Sequence, residues 1–177
     1  MRGLDQDVKF RDAAPEDAAA LSAIGRETFI ETFSSNYAAG DLTAFLDRNF
    51  SPDIQAKEIA DPETDIRVAE AKRALIAYAK IAPLKLPIDA GGRRALELHR
   101  IYVHSDRQGV GVGRILLTWT INRARERGAE DLYLGVWSEN SRAIAVYESR
   151  GFDIVGRYGF PVGGQTDEEL IMRKSLT

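Results

Sequence analysis

Between residues 96 and 128 the chain passes from an alternating strand into a glycine-rich turn and then into a helix, and no other stretch constrains the fold as much. Leu96–Val103 alternates along its length, which predicts Leu96, Leu98, Arg100 and Tyr102 on one face and Glu97, His99, Ile101 and Val103 on the other. Gln108-Gly109-Val110-Gly111-Val112-Gly113 follows. The helix beyond it carries Ile115, Leu116, Trp119 and Ala124 inward and ends at Gly128, a residue type suited to the position after a last turn. A strand feeding a helix through glycines belongs to a layered α/β domain. It also builds an anion site, because backbone N–H groups converge at the helix N-terminus and the missing Cβ atoms let a phosphate come close. Arg107 and Arg114 add positive charge beside that turn.

The remaining elements follow from periodicity and from breakers. Val8-Lys9-Phe10-Arg11 reads as a short strand, and Pro15-Glu16-Asp17 opens a helix through Phe33 with Leu21, Ile24, Phe29 and Phe33 inward. Ser34-Ser35-Asn36-Tyr37 breaks it, Asp41 is expected to cap a second helix, and Ser51-Pro52 opens a third. Asp65–Glu70 and Arg73–Ile81 read as a hairpin turning at Ala71-Lys72. Residues 82–92 read as a loop, Leu132–Trp137 as a strand, Asn140–Arg150 as a helix closed by Gly151, and Phe152–Val155 and Leu170–Arg173 as the last strands. The order β-ααα-βββ-α-β-α-ββ describes one mixed α/β domain over residues 1–177, with no repeat and no dividing linker.

Composition narrows the chemistry. There is no cysteine, which removes disulfides, thiolate metal sites and a cysteine nucleophile. With only two histidines, a transition-metal site is not expected. MRGLDQDVKF does not resemble a leader and no apolar run is long enough to span a bilayer, so the expectation is a soluble cytoplasmic protein without a membrane partner. A net charge of −3 disfavours nucleic acid. The charge is uneven: residues 1–70 hold fifteen acidic against seven basic side chains, and the remainder reverses the balance. An acidic part suits a cationic ligand and a basic part an anionic one.

The glycine turn fails two familiar tests. A P-loop needs Gly-Lys-Ser/Thr where Gly113-Arg114-Ile115 stands, and a dinucleotide fingerprint needs a third glycine at Arg114 or Leu116. What remains is Gln-x-x-Gly-x-Gly at Gln108, Gly111 and Gly113. This pattern resembles the motif by which GNAT acetyltransferases bind the coenzyme A pyrophosphate. Asn140-x-x-Ala143-x-x-x-Tyr147-x-x-x-Gly151-Phe152 is similar to that family's second coenzyme segment, in the family's order and separation. The tail Leu134-Gly135-Val136-Trp137, Gln165-Thr166-Asp167 and Leu170-Ile171-Met172, with Glu27-Thr28-Phe29, Glu31-Thr32-Phe33 and Ile101-Tyr102-Val103, looks like the PaiA-type polyamine N-acetyltransferases. Glu168-Glu169, between Asp167 and Leu170, departs from that pattern and is expected to bear on the course of the last strand.

The resemblance implies a GNAT fold, a mostly antiparallel mixed sheet of about seven strands flanked by helices. It implies direct acetyl transfer from acetyl-CoA, the co-substrate, to a small-molecule primary amine such as spermidine or spermine. The alternatives are a peptide N-terminus, an amino acid or an aminoglycoside as acceptor, or a non-catalytic acetyl-CoA sensor. An alkylamine is protonated at neutral pH and needs a base before it can attack. Glu97 is the candidate base, and it reads equally as a strand-edge carboxylate or an ion-pair partner; His99 is the fallback, or simply a core histidine. Tyr147 is the implied acid for the departing sulfur. The implied coenzyme contacts are the backbone of Ile101, Tyr102 and Val103, then Gln108, Gly109, Val110, Gly111, Val112, Gly113 and Arg114, and Asn140, which is equally suited to cap its helix. Glu27, Glu31 and Asp41 are the candidate anchors for a cationic acceptor. A homodimer is compatible with the sequence, and no metal is expected.

Overall fold

A computed structural model describes residues 7–177; the MRGLDQ stretch, read above as unlike a leader, lies outside the described residues. The elements are β1 (Lys9–Asp12), α1 (Ala18–Phe33), α2 (Ala39–Phe50), α3 (Pro52–Ala60), β2 (Asp65–Ala71), β3 (Ala74–Pro83), β4 (Ala95–Val103), α4 (Val112–Glu126), β5 (Asp131–Trp137), α5 (Ser141–Glu148), β6 (Asp153–Val162) and β7 (Gln165–Ser175). Short 3₁₀ turns precede α1, α2 and α4. The order is the expected one. Among the described residues no helix is long and apolar enough to cross a membrane.

Among the described residues the strands form one seven-stranded sheet in the order β1-β2-β3-β4-β5-β7-β6. All neighbours are antiparallel except β4 and β5, which run parallel through the α4 crossover. One face carries α4 and α5 over Leu98, Leu132, Leu134 and Met172. The other carries α1–α3, with Leu21, Ile24 and Tyr78 in one cluster and Phe29, Leu46 and Phe50 in the next. Leu86, from the loop after β3, covers Tyr133 and Ile171 on this second face.

Local chemistry explains the boundaries, including those the sequence placed differently. Ser51 caps α3, its hydroxyl accepting from the Ile54 amide at 3.4 Å. Asp41 does not cap α2: Ala38 occupies the cap position, and the Asp41 carboxylate in the first turn accepts instead from the Gly164 amide at 3.2 Å. The β2–β3 hairpin turns at Lys72-Arg73 rather than Ala71-Lys72, with φ of 50° and 64°. This is the primed turn that suits the strand twist, here built without glycine. The final hairpin is longer than expected because β6 runs through Gly156, Gly159 and Pro161. β6 is a sheet edge, where a proline's missing N–H costs no ladder bond. Glu168-Glu169 leaves the pairing of β7 with β5 in unbroken register.

The largest departure is in β4. Ile81 pairs with Leu98 and Lys80 with Arg100, so His99 is an extra residue that bulges out of the ladder. The bulge resets the alternation, and Glu97 joins Arg100 and Tyr102 on the α1–α3 face. Leu96, Leu98, Ile101 and Val103 take the α4 face. The single-alternation assignment of this strand is therefore corrected at its midpoint.

Candidate active site

The parallel ladder between β4 and β5 stops at Leu98↔Leu134, although β4 continues to Val103 and β5 to Trp137. The β4 residues beyond that point remain paired on their other edge, Ile101 with Ala79, Tyr102 with Tyr78 and Val103 with Ala77. The two strands therefore diverge, and the inner edge of β4 offers its backbone groups to whatever enters the opening. An extended amide-bearing chain can pair there as an added strand.

At the end of β4 the turn is built for an anion. Gly109 and Gly111 hold φ of 80° and 98°, values costly for a residue with a Cβ. α4 starts at Val112 without a side-chain cap, so the first-turn N–H groups of Val112, Gly113 and Arg114 have no partner within the helix. A Cβ on Gly113 would stand 3.4 Å from Val103 Cγ2, so the glycine permits the close seating of α4 on β4. The Gln108 amide donates to the Val103 carbonyl at 3.2 Å and so fixes the turn against the strand. Val110 packs against the main core. Arg142, which the sequence did not single out, brings its guanidinium to within 3.9 Å of where a Gly109 Cβ would be. These groups fit the pyrophosphate and pantetheine of coenzyme A.

α5 faces the same opening. Asn140 caps it, its side-chain oxygen accepting from the Ala143 amide at 3.1 Å. Gly151, with φ of 78°, closes it, and the Phe152 amide returns to the Tyr147 carbonyl at 3.1 Å. Tyr147 packs edge-on against Phe152 at 5.8 Å, and its hydroxyl hydrogen-bonds no other described residue. Burial raises its pKa, which keeps it protonated at neutral pH and able to donate.

The opposite face of the opening is acidic and aromatic. Glu97 is 7% exposed, and its Oε2 accepts from the backbone amides of Lys85 and Leu86 at 2.8 and 3.1 Å. That carboxylate ties the loop after β3 to β4. His99 Nε2 lies 3.0 Å from the Pro83 carbonyl and 3.7 Å from Glu97 Oε2. A bond to a carbonyl requires Nε2 to carry the proton, and burial lowers the pKa of the ring, so His99 is a neutral donor here. On β7, Asp167 accepts from the Tyr37 hydroxyl, and Glu169 Oε2 accepts from the Tyr158 hydroxyl at 2.5 Å. Burial raises the Glu169 pKa above the ordinary carboxylate range, and burial pushes Tyr102 up to about 12. Phe33 meets Trp137 edge-on at 5.7 Å, and Phe45 meets Phe160 at the same distance, which roofs this side.

The structure does not gather Glu27, Glu31 and Asp41 here. Glu27 Oε2 lies 3.2 Å from His104 Nε2, and Glu31 accepts from the Ser105 hydroxyl at 3.2 Å, both against the segment that leads into the glycine turn. Asp41 holds the β6–β7 hairpin tip. The acids that do converge are Glu97, Asp167 and Glu169. The last was visible in the sequence only as a departure from a pattern.

A single sheet split between its parallel strands, with an uncapped helix at the head of the split and a buried tyrosine beside it, is the arrangement that the resemblance to acyl-coenzyme A transferases led one to expect. Comparison with known proteins makes the assignment: the acetyltransferase (GNAT) family model matches residues 25–152, and the chain belongs to that family, an acyl-CoA-dependent N-acetyltransferase. An uncharacterised N-acetyltransferase from the pepI 3′ region of Lactobacillus delbrueckii subsp. lactis is 28% identical over 169 residues, 96% of this chain and 98% of that protein. The crystal structure of a PaiA N-acetyltransferase from Thermoplasma acidophilum in complex with coenzyme A superposes with a TM-score of 0.76 at 20% identity, over 95% of this chain and 98% of that one. A ribosomal-protein-alanine N-acetyltransferase from Brucella melitensis gives 0.68 at 27% identity, over 94% and 99%.

Proposed function

We propose that this enzyme transfers the acetyl group of acetyl-CoA directly to the primary amine of a polycation such as spermidine or spermine. The observation that carries the reading is the end of the β4–β5 ladder at Leu98↔Leu134, with acidic side chains on one side and Tyr147 on the other. The backbone of Ile101, Tyr102 and Val103 would pair with the pantetheine amides. The α4 N-terminus would receive the pyrophosphate, with Asn140 holding α5 in place. A thioester carbonyl lying in the opening meets an incoming nitrogen without a covalent enzyme intermediate, so positioning supplies much of the gain. Tyr147 would hand its proton to the departing sulfur.

Glu97, Asp167 and Glu169, with the Tyr37, Tyr102 and Tyr158 hydroxyls, make the acceptor side suit a cation, and the sequence resemblance to PaiA-type polyamine enzymes points the same way. The likeness to the ribosomal-protein-alanine enzyme favours a peptide N-terminus as the second reading. Release of free CoA over a panel of spermidine, spermine, aminoglycosides, amino acids and alanyl peptides separates them. Turnover on polyamines, reduced about a hundredfold by Tyr147→Phe with acetyl-CoA affinity kept, is the expected result. Turnover on the peptides alone moves the acceptor to the second reading. Tight acetyl-CoA binding with no turnover on any amine refutes catalysis in favour of a coenzyme-sensing role.

A further inference from the structure

We infer that Glu169, held by Tyr158, is the carboxylate that receives the acceptor's ammonium group and takes its proton, and that Glu97 instead fixes the wall beside it. This rests on the acetyltransferase reading above.

The placement follows from register. Gly135 is the first β5 residue beyond the last β4–β5 pair, and it pairs with Ile171 on β7. Glu169 is two residues along β7 from Ile171, so its side chain projects from the same face, over the point where the strands part. A Cβ on Gly135 would stand 2.8 Å from Glu169 Oε2, 2.9 Å from the Tyr158 hydroxyl and 3.3 Å from Leu86 Cδ2. The glycine therefore makes the room in which the carboxylate–phenol pair lies against the strand. Trp137, which pairs with Glu169 across the ladder, continues the same wall.

Several titratable groups face the Glu169 carboxylate. Tyr158 comes from β6, Glu97 and Tyr102 from β4, Asp167 from β7 itself, and Tyr37 from the turn after α1. Three of these are phenols and two are acids. The nearby arginine of β4, Arg100, is turned away to Glu58 at 3.0 Å and to the Asn49 carbonyl at 3.0 Å. Burial and the neighbouring acids favour the protonated form of Glu169, while the Tyr158 hydrogen bond favours the ionised form. A carboxylate balanced in that way is a better proton acceptor near neutral pH than an ordinary one. Glu97 differs because Oε2 already receives two backbone amides.

The chemistry balances. The ammonium gives one proton to Glu169, and the freed lone pair forms the C–N bond at the thioester carbonyl as the C–S bond breaks. Tyr147 supplies the proton for the sulfur, and the second proton lost by the nitrogen restores Tyr147. Glu169 returns its proton to solvent, so one proton is released per turnover. A group of acids also repels a carboxylate, so the acceptor carries none on the carbon beside its nitrogen.

The test is the pH profile of kcat/KM for the best amine of the panel, measured for wild type, Glu169→Gln, Tyr158→Phe and Glu97→Gln. Acetyl-CoA binding by calorimetry and thermal melting accompany each variant. Glu169→Gln is expected to lower kcat/KM at least a hundredfold and to abolish the acid limb. Tyr158→Phe removes the donor that favours the ionised form, so the limb is expected to move to higher pH with most of the plateau rate kept. Glu97→Gln is expected to raise KM more than it lowers kcat. If Glu169→Gln fails to fold, the displacement of the limb in Tyr158→Phe decides. A folded Glu169→Gln within threefold of wild type with its acid limb in place overturns the assignment, and so does an unmoved limb in Tyr158→Phe. Preferred turnover of free α-amino acids overturns the acceptor class. A wild type that binds acetyl-CoA and acetylates nothing on the panel overturns the catalytic reading itself, and this assignment with it.

Discussion

Replacing Gly25 by alanine sets two well-understood effects against each other. Gly25 lies in the middle of α1, where helix propensity alone favours alanine by about 1 kcal/mol. A Cβ at that position would stand 2.5 Å from Phe50 Cδ1, 2.9 Å from Phe50 Cε1 and 3.0 Å from the Tyr78 hydroxyl. The ring cannot easily give way. Phe50 is 2% exposed, Phe29 and Tyr102 pack against it with centroids at 5.9 and 6.1 Å, and the Arg100 guanidinium lies 4.5 Å above its face. Overpacking a site so enclosed costs about 1–3 kcal/mol, and a contact more than 1 Å too short belongs at the top of that range. The net expectation is a loss of about 1–2 kcal/mol, and for a domain of this size a melting temperature lower by roughly 2–8 °C. Urea denaturation at constant m-value measures it. In a Phe50→Ala background, the same substitution should cost much less, because the ring is gone and only the Tyr78 hydroxyl at 3.0 Å remains close. A Gly25→Ala protein that melts higher than wild type with Phe50 intact would refute the packing argument.

Two further outcomes follow from the turn and from the N-terminal ion pairs. Gly111→Ala places a side chain at φ of 98°, which costs about 1–2 kcal/mol and disturbs the α4 N-terminus; acetyl-CoA affinity by calorimetry should fall at least tenfold. Asp17 accepts both Arg11 guanidinium nitrogens, at 2.6 and 2.9 Å, and these hydrogen bonds hold its pKa below the ordinary 3.8. A lowered folded pKa gives stability that is complete above about pH 4 and is lost as the pH falls through the folded value. Asp17→Asn should therefore cost about 1 kcal/mol at pH 7, discounted because Arg11 is 40% exposed, and should flatten the decline of melting temperature below pH 4.

The sequence spoke clearly where one residue type has one physical use. Gly128 and Gly151 end helices at positive φ, Ser51 caps α3, and the spacing of Gly109 and Gly111 marks the turn under α4. It was silent where structure depends on register. Alternation cannot show that His99 is an extra residue, because the residues on either side still alternate, yet that residue decides which way Glu97 faces. Lys72 and Arg73 hold positive φ without the glycine or asparagine that would have announced them. The strand read over Phe152–Val155 stopped short of Gly156, Gly159 and Pro161, all of which an edge strand accommodates. Glu27, Glu31 and Asp41 were legible as acidic but not as occupied. Glu169 showed locally only as a departure from a pattern and Arg142 not at all, because both matter through neighbours far away in the chain.

The parting of β4 and β5 leaves the sheet's central seam unfinished, so the enzyme is completed by something it does not encode. A pantetheine arm laid along Ile101–Val103 would serve as a borrowed strand, and its departure as free CoA would withdraw structural material as well as product. The resting protein should then be measurably looser at its centre than at its rim, with β4 and β5 amides exchanging hydrogen faster beyond residues 98 and 134 than before them. Saturating acetyl-CoA at a hundred times its dissociation constant should restore about 2.7 kcal/mol of stability. Turnover in such a molecule is also a cycle of tightening and release.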